Sequence, residues 1–147
     1  MDSDDLLALL RRTADAVIDA LAEAPDWGPS GAKTGQYASD LVADSAALGV
    51  LAEAGVGVLS EESGRTGDAD GTGVVVVVDP LDGSTNASHG VSWWATSLCA
   101  VDADGPCAAV VHDLRHGTRY EATRGGGAWR DGGAITPSGA SSLSKSL

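Results

Sequence analysis

The chain has 147 residues, 43% of them hydrophobic, enough to bury the core of one domain of ordinary size. Nine Lys and Arg against 21 Asp and Glu give a formal net charge of −12. That balance excludes nucleic acid and anionic membrane surfaces as main partners, because both need a basic patch. Phe is absent and aromatics are few, so Val, Leu and Ala must do most of the packing. Cys99 and Cys107 form no CxxC pair and the N-terminus does not read as a signal peptide. The expectation is therefore a cytoplasmic protein with reduced, structural thiols.

Ser3 is the expected cap of a first helix carrying Leu6, Leu10, Val17 and Leu21 on one side and ending before Pro25. Arg11, Arg12, Asp15 and Asp19 interrupt that segment, so it cannot span a membrane. The stretch DWGPSGAKTGQYAS has the Gly, Pro and Ser content of a loop. A second helix is expected from about Asp40 to Ala54, then a short strand VGVLS running into Glu61 and Glu62, then a flexible connection SGRTGDADGTG. The run of valines from Val74 to Val78 reads as a buried strand that ends on DPLDGST. WWATSLCAV and CAAVVHDL flank the turn signal DADGP and predict a hairpin. TRYEATR and the short GAW and AI pieces add further antiparallel strands. Two helices followed by five or six strands predict an α+β fold, with the helices packed on a largely antiparallel sheet. Residues 1–136 are expected to form this domain, and 137–147 a tail or the start of a second one.

Acidic residues gather at element ends: Asp40 and Asp44 near the second helix start, Glu61 and Glu62 after a strand, Asp79 and Asp82 after the valines. Taken alone, Asp79 and Asp82 fit ordinary N-cap and turn residues. Converging at the ends of neighbouring strands, such carboxylates would repel, and one pKa would rise sharply. No Lys or His stands within a few residues of Glu61, Asp79 or Asp82, so a divalent cation is the most economical neutraliser. Hard oxygen ligands suit Mg²⁺ or Mn²⁺ ahead of Ca²⁺. Pro80 and Gly83 let the chain turn so that the Leu81 carbonyl can face the same ion. Ser84 and Thr85 stand where a helix would begin, a place whose free N–H groups favour a phosphate.

In order, an acidic helix start, LSEES, VVVVVDPLDGSTN and RYEATRGGGAW resemble the inositol monophosphatase family of lithium-sensitive, metal-dependent phosphatases. The resemblance implies the N-terminal half of a layered sugar-phosphatase fold and an Mg²⁺-dependent phosphomonoesterase, with Mn²⁺ as a substitute. The implied substrate is a small phosphorylated polyol or sugar, and a homodimer is compatible with it. Glu61 and Asp79, with the Leu81 carbonyl, would hold one metal, and Asp79 and Asp82 would help hold a second. Glu61 and Ser84 would orient the attacking water, with Asp44 holding the Ser84 hydroxyl and Asp40 as the alternative. Asp82, Gly83 and Ser84 would meet the substrate, the latter two through backbone N–H groups. The family's later Trp-Asp-x-Ala motif has no counterpart here. Sister activities on fructose-1,6-bisphosphate, histidinol phosphate or 3′-phosphoadenosine nucleotides therefore stand as alternatives, as does a metal-binding half without turnover.

Overall fold

The computed structural model describes residues 1–24, 26–67 and 72–142. Leu6, Leu10, Val17 and Leu21 recur at helical spacing and form the buried stripe of α1 (Ser3–Ala22). Its cap is Asp2 rather than Ser3: the Asp2 carboxylate accepts from the backbone N–H of Asp4 (3.0 Å) and Asp5 (2.8 Å). A carboxylate caps as well as a hydroxyl and also meets the positive end of the helix dipole. Helix α2 (Ala38–Glu53) begins two residues before the expected Asp40. Ala14, Ala43 and Ala47 are fully buried, and these small side chains let α1 and α2 pack closely against each other.

Among the described residues, eight strands form one sheet in the order β2-β1-β3-β4-β5-β6-β7-β8. They are β1 (Gly57–Ser60), β2 (Gly64–Thr66), β3 (Val75–Asp82), β4 (Ala95–Asp102), β5 (Gly105–Asp113), β6 (Arg119–Thr123), β7 (Gly127–Arg130) and β8 (Gly133–Ile135). A short helix, α3 (Ser84–Ser88), separates β3 from β4. Every neighbouring pair is antiparallel except β1 and β3, which run parallel. The sheet exceeds the expected five or six strands in part because of β2, whose three residues are too few for a periodic signal and form a strand by pairing with β1. The AI piece expected as a strand is β8, paired with β7. β2 lies inside the stretch read as a flexible connection, whose residues 68–71 fall outside the described ones.

The valine run is not buried on both sides. Val76 and Val78 face the helices, whereas Val77 is 41% exposed on the opposite face. Strand period two explains this: Val58, Val76, Leu98, Ala100, Ala108 and Val110 form the helix-covered core, while Leu59, Val77, Val111 and Tyr120 look outward. Cys99, on the outward side of β4, is half-buried, and Cys107 is the cysteine that enters the core. The last strand ends at Ile135, residues 137–142 carry no helix or strand, and the remainder of the expected tail lies outside the described residues.

Two ion pairs fasten α1 to the sheet. Arg11 grips the buried Glu121 with two bonds, Nε to Oε1 at 2.7 Å and Nη2 to Oε2 at 2.5 Å. The Arg11 bonds hold the Glu121 carboxyl below the usual range. Asp15 pairs with Arg119, which also donates to His112 Nδ1 at 3.0 Å. Among the described residues, no helix is long and apolar enough to cross a membrane.

Leu10 is fully buried where α1 meets the sheet. Leu10→Ala is expected to cost about 2–5 kcal/mol through lost transfer energy and a residual cavity. Urea denaturation checks this as a lower midpoint with an unchanged slope.

Candidate metal and phosphate site

The site grows from the end of β3. Val76 and Val78, gripped in the core, fix the strand, and the parallel register with β1 sets Ser60 opposite Val78. The pairing continues one step, Glu61 N–H donating to the Val78 carbonyl at 3.0 Å, so Glu61 arrives beside Asp79. The register with β4 then shifts between Asp79 and Asp82, which brings both acids into one short turn. Asp79 Oδ1 is buried and has no hydrogen-bond partner. Burial, then the charges of Glu61 and Asp82, push the Asp79 pKa up to about 7, against the opposing pull of the Leu81 backbone N–H. Leu81 turns its side chain into the core, so its backbone stays at the site.

Gly83 closes the turn at φ +84°, and a Cβ there would come within 2.5 Å of the Trp93 carbonyl oxygen. Both the left-handed backbone and the close approach require glycine. Asn86 Nδ2 donates to the same carbonyl at 2.7 Å, tying α3 to the chain entering β4. Ser84 is the first residue of α3, as the sequence suggested.

Asp40 and Asp44 separate clearly. Asp40 is 2% exposed, and its Oδ2 accepts from Tyr37 N–H at 2.8 Å while Oδ1 has no partner. Burial raises its pKa, while the Tyr37 N–H and the nearby Ser84 hydroxyl pull it down. Asp44 instead accepts from Ser60 Oγ at 2.5 Å, and that oxygen accepts from Glu62 N–H at 3.1 Å. The acid facing Ser84 is thus Asp40, and Asp44 braces the turn that carries Glu61.

The loop before α2 adds residues that local spacing missed. Lys33 Nζ donates to the Glu62 carbonyl at 2.6 Å, and Gln36 Nε2 donates to the Glu62 carboxylate. The Tyr37 hydroxyl meets Ser88 and Thr85, which draw its pKa below the usual phenol value. The only sequence signal was a Gly-, Pro- and Ser-rich segment directly upstream of an acidic helix start. His89 stays out of the carboxylate group, its Nδ1 occupied by Ser88 Oγ (3.0 Å) and the Thr85 carbonyl (2.8 Å). His116 pairs with Asp113 and His112 with Arg119, away from the site residues.

A groove of about 470 Å³ lined by Glu61, Asp79, Ser97 and Val77 opens on one side of this turn. A second depression, about 250 Å³, is lined by Asp82, Trp93, Ala95 and Asp113. Among the described residues, no three Asp, Glu, His or Cys side chains close into a ready cage. The donors nevertheless fit a hard divalent cation: they are carboxylate oxygens, one is orphaned in a half-buried position, and no soft ligand stands among them.

The inositol monophosphatase family model matches residues 8–147. A fructose-1,6-bisphosphatase/inositol-1-monophosphatase of Archaeoglobus fulgidus is 38% identical over 152 residues, covering 97% of this chain and 59% of its own. The solved inositol monophosphatase of Anabaena (Nostoc) superposes with a TM-score of 0.77 at 27% identity, over 97% of this chain and 53% of that one. An extragenic suppressor from Pyrococcus furiosus gives a TM-score of 0.72 at 30% identity, over 88% and 56%. The chain therefore spans little more than half the length of these relatives. With the family match running through the acidic turn, the Glu-Glu strand end and the sheet that joins them, the chain belongs to the inositol monophosphatase family.

Proposed function

We propose that this chain carries the metal- and phosphate-binding half of an Mg²⁺-dependent phosphomonoesterase acting on a small polyol or sugar phosphate. The observation that carries the reading is Asp79: a half-buried carboxylate beside Glu61 and Asp82, its Oδ1 unpartnered, whose pKa is driven up to about 7 by burial and then by the charges of those neighbours. A cation relieves that crowding. Glu61, Asp79 and Asp82, with the Leu81 carbonyl, would hold it. When bound, Mg²⁺ acidifies a water and offsets charge on the phosphoryl oxygens.

The chain's own groups do the rest. Gly83 and Ser84 present backbone N–H groups at the start of α3, where a phosphate oxygen is well received. The Ser84 hydroxyl accepts from the attacking water and passes its own hydrogen toward the free Oδ1 of Asp40. We therefore give the supporting role to Asp40 and not to Asp44. Relatives named for fructose-1,6-bisphosphatase and inositol-1-monophosphatase support the substrate class without choosing within it. The second reading is a metal-binding unit without turnover.

Phosphate release from inositol 1-phosphate with Mg²⁺ tests the reading, and Asp82→Asn is expected to lower it at least about a hundredfold, as loss of a charged metal ligand should. No release, with Mg²⁺ still bound, would leave the second reading standing. Asp40→Asn should reduce turnover by roughly 10²–10⁴-fold while leaving Mg²⁺ affinity nearly unchanged. Asp44→Asn should instead weaken Mg²⁺ binding, because it loosens the turn bearing Glu61.

The pH dependence follows from Asp79. Its folded pKa, about 7, lies above its unfolded value near 3.8, so the native state holds the proton more tightly between those limits. The metal-free chain should lose stability as pH rises through that window. Glu121, shifted downward from 4.5, opposes the trend only at the acid end of that window, where the unfolded carboxyl is still protonated. Mg²⁺ should therefore raise the melting temperature more near pH 8 than near pH 5.5, a comparison made by differential scanning fluorimetry.

A further inference from the structure

Glu61 begins the site beside Asp79, whose carboxyl it meets through a side-chain hydrogen bond. The backbone on both sides of it is pinned as well. On the N-terminal side, Ser60 Oγ donates to Asp44 at 2.5 Å, and Glu61 N–H is paired with the Val78 carbonyl. On the C-terminal side, Glu62 is held by two residues of the loop before α2 and by Ser60 of β1. Lys33 takes its carbonyl, Gln36 takes its carboxylate, and Ser60 Oγ takes its N–H.

Gln36 is the structural centre of that hold. It is 5% exposed, its Oε1 accepts from Ser30 Oγ at 2.9 Å, and its carbonyl accepts from Ser30 N–H at 2.8 Å. Its N–H donates to the Lys33 carbonyl at 3.3 Å. Both ends of the amide are thus engaged inside a closed loop, and the Nε2 donor can meet Glu62 without freedom to swing away. A buried amide satisfied at both ends and aimed at a carboxylate next to a ligand is what a ligand-orienting group requires.

Resting on the metal site proposed above, we infer that Gln36 is a positioning residue: through Glu62 it holds the turn that keeps Glu61 pointed at the cation. Glu62 then contributes no ligand of its own. Gln36 fixes its carboxylate in place, so that this like charge is not free to move toward Asp79.

Mn²⁺ serves as the probe, its dissociation constant read from the free-ion electron paramagnetic resonance signal, beside the urea midpoint of each variant. Gln36→Leu removes the donor and should weaken Mn²⁺ binding by roughly tenfold or more. Gln36→Glu sets a carboxylate against Glu62 and should weaken it further. The exchanged pair Gln36→Glu with Glu62→Gln restores a donor and an acceptor and should recover most of the affinity. A merely structural Gln36 would shift the urea midpoint and leave the affinity of the folded protein unchanged, which would overturn the inference. Equal losses in the single and exchanged variants would overturn it too. A wild-type chain that binds no Mn²⁺ would remove the site itself and this inference with it.

Discussion

Mutual repulsion among Glu61, Asp79 and Asp82 is the constraint around which this half of the fold is built. Carboxylates held within a few ångströms and partly out of water cannot all stay ionised cheaply, and Asp79 answers with a pKa near 7. Something must oppose their separation. β3 does so from beneath, because Val76 and Val78 would have to leave the core for Asp79 to retreat. The parallel β1 does so from the side, since its register cannot slip by one residue without turning Val58 out of the core and Leu59 into it. The loop before α2 does so from the outside, by holding Glu62.

The sequence made some of this legible and hid the rest for identifiable reasons. The acidic turn could be read because Pro80, Gly83 and the acids are local chemistry, and a five-residue valine run marks a strand unambiguously. The helices could be read because Leu6, Leu10, Val17 and Leu21 repeat at helical spacing. Which upstream acid meets Ser84 could not be read. Asp40 and Asp44 are four residues apart on one helix and share a face, so only the docking angle of α2 decides between them. Lys33 and Gln36 were hidden for a related reason: their partner Glu62 lies 26 or more residues away, and loops carry no periodic signal. The three-residue strand β2 was invisible because its existence depends on the free edge of β1 and not on its own side chains.

The sheet is covered unevenly, and the site lies on its barer side. Asp79 pairs with Ser97 and Asp82 with Ala95, so both acids share the face that carries Val77, Leu59 and Val111. The groove beside Asp79 accordingly runs from carboxylates into apolar side chains. The helical face and the outward face thus divide the work: one supplies the packing energy that fixes the strands, the other presents the charges those strands carry.

Charge also decides how a phosphate could be received here. The chain carries a formal −12, and Lys33, which reaches the residue after Glu61, is committed to the Glu62 carbonyl. Helix α3 has five residues, too short to build much of a macrodipole. Backbone N–H groups at Gly83 and Ser84 give direction to a phosphate oxygen but cannot reverse the sign of the field around it. A bound cation, as proposed, would supply that reversal beside the unpartnered Oδ1 of Asp79. Metal and phosphate binding would then be linked: each carboxylate that repels a phosphate attracts the ion that would admit it. The acidity that argues against nucleic acid and anionic membranes as main partners would, at this one turn, recruit the cation through which a phosphate binds.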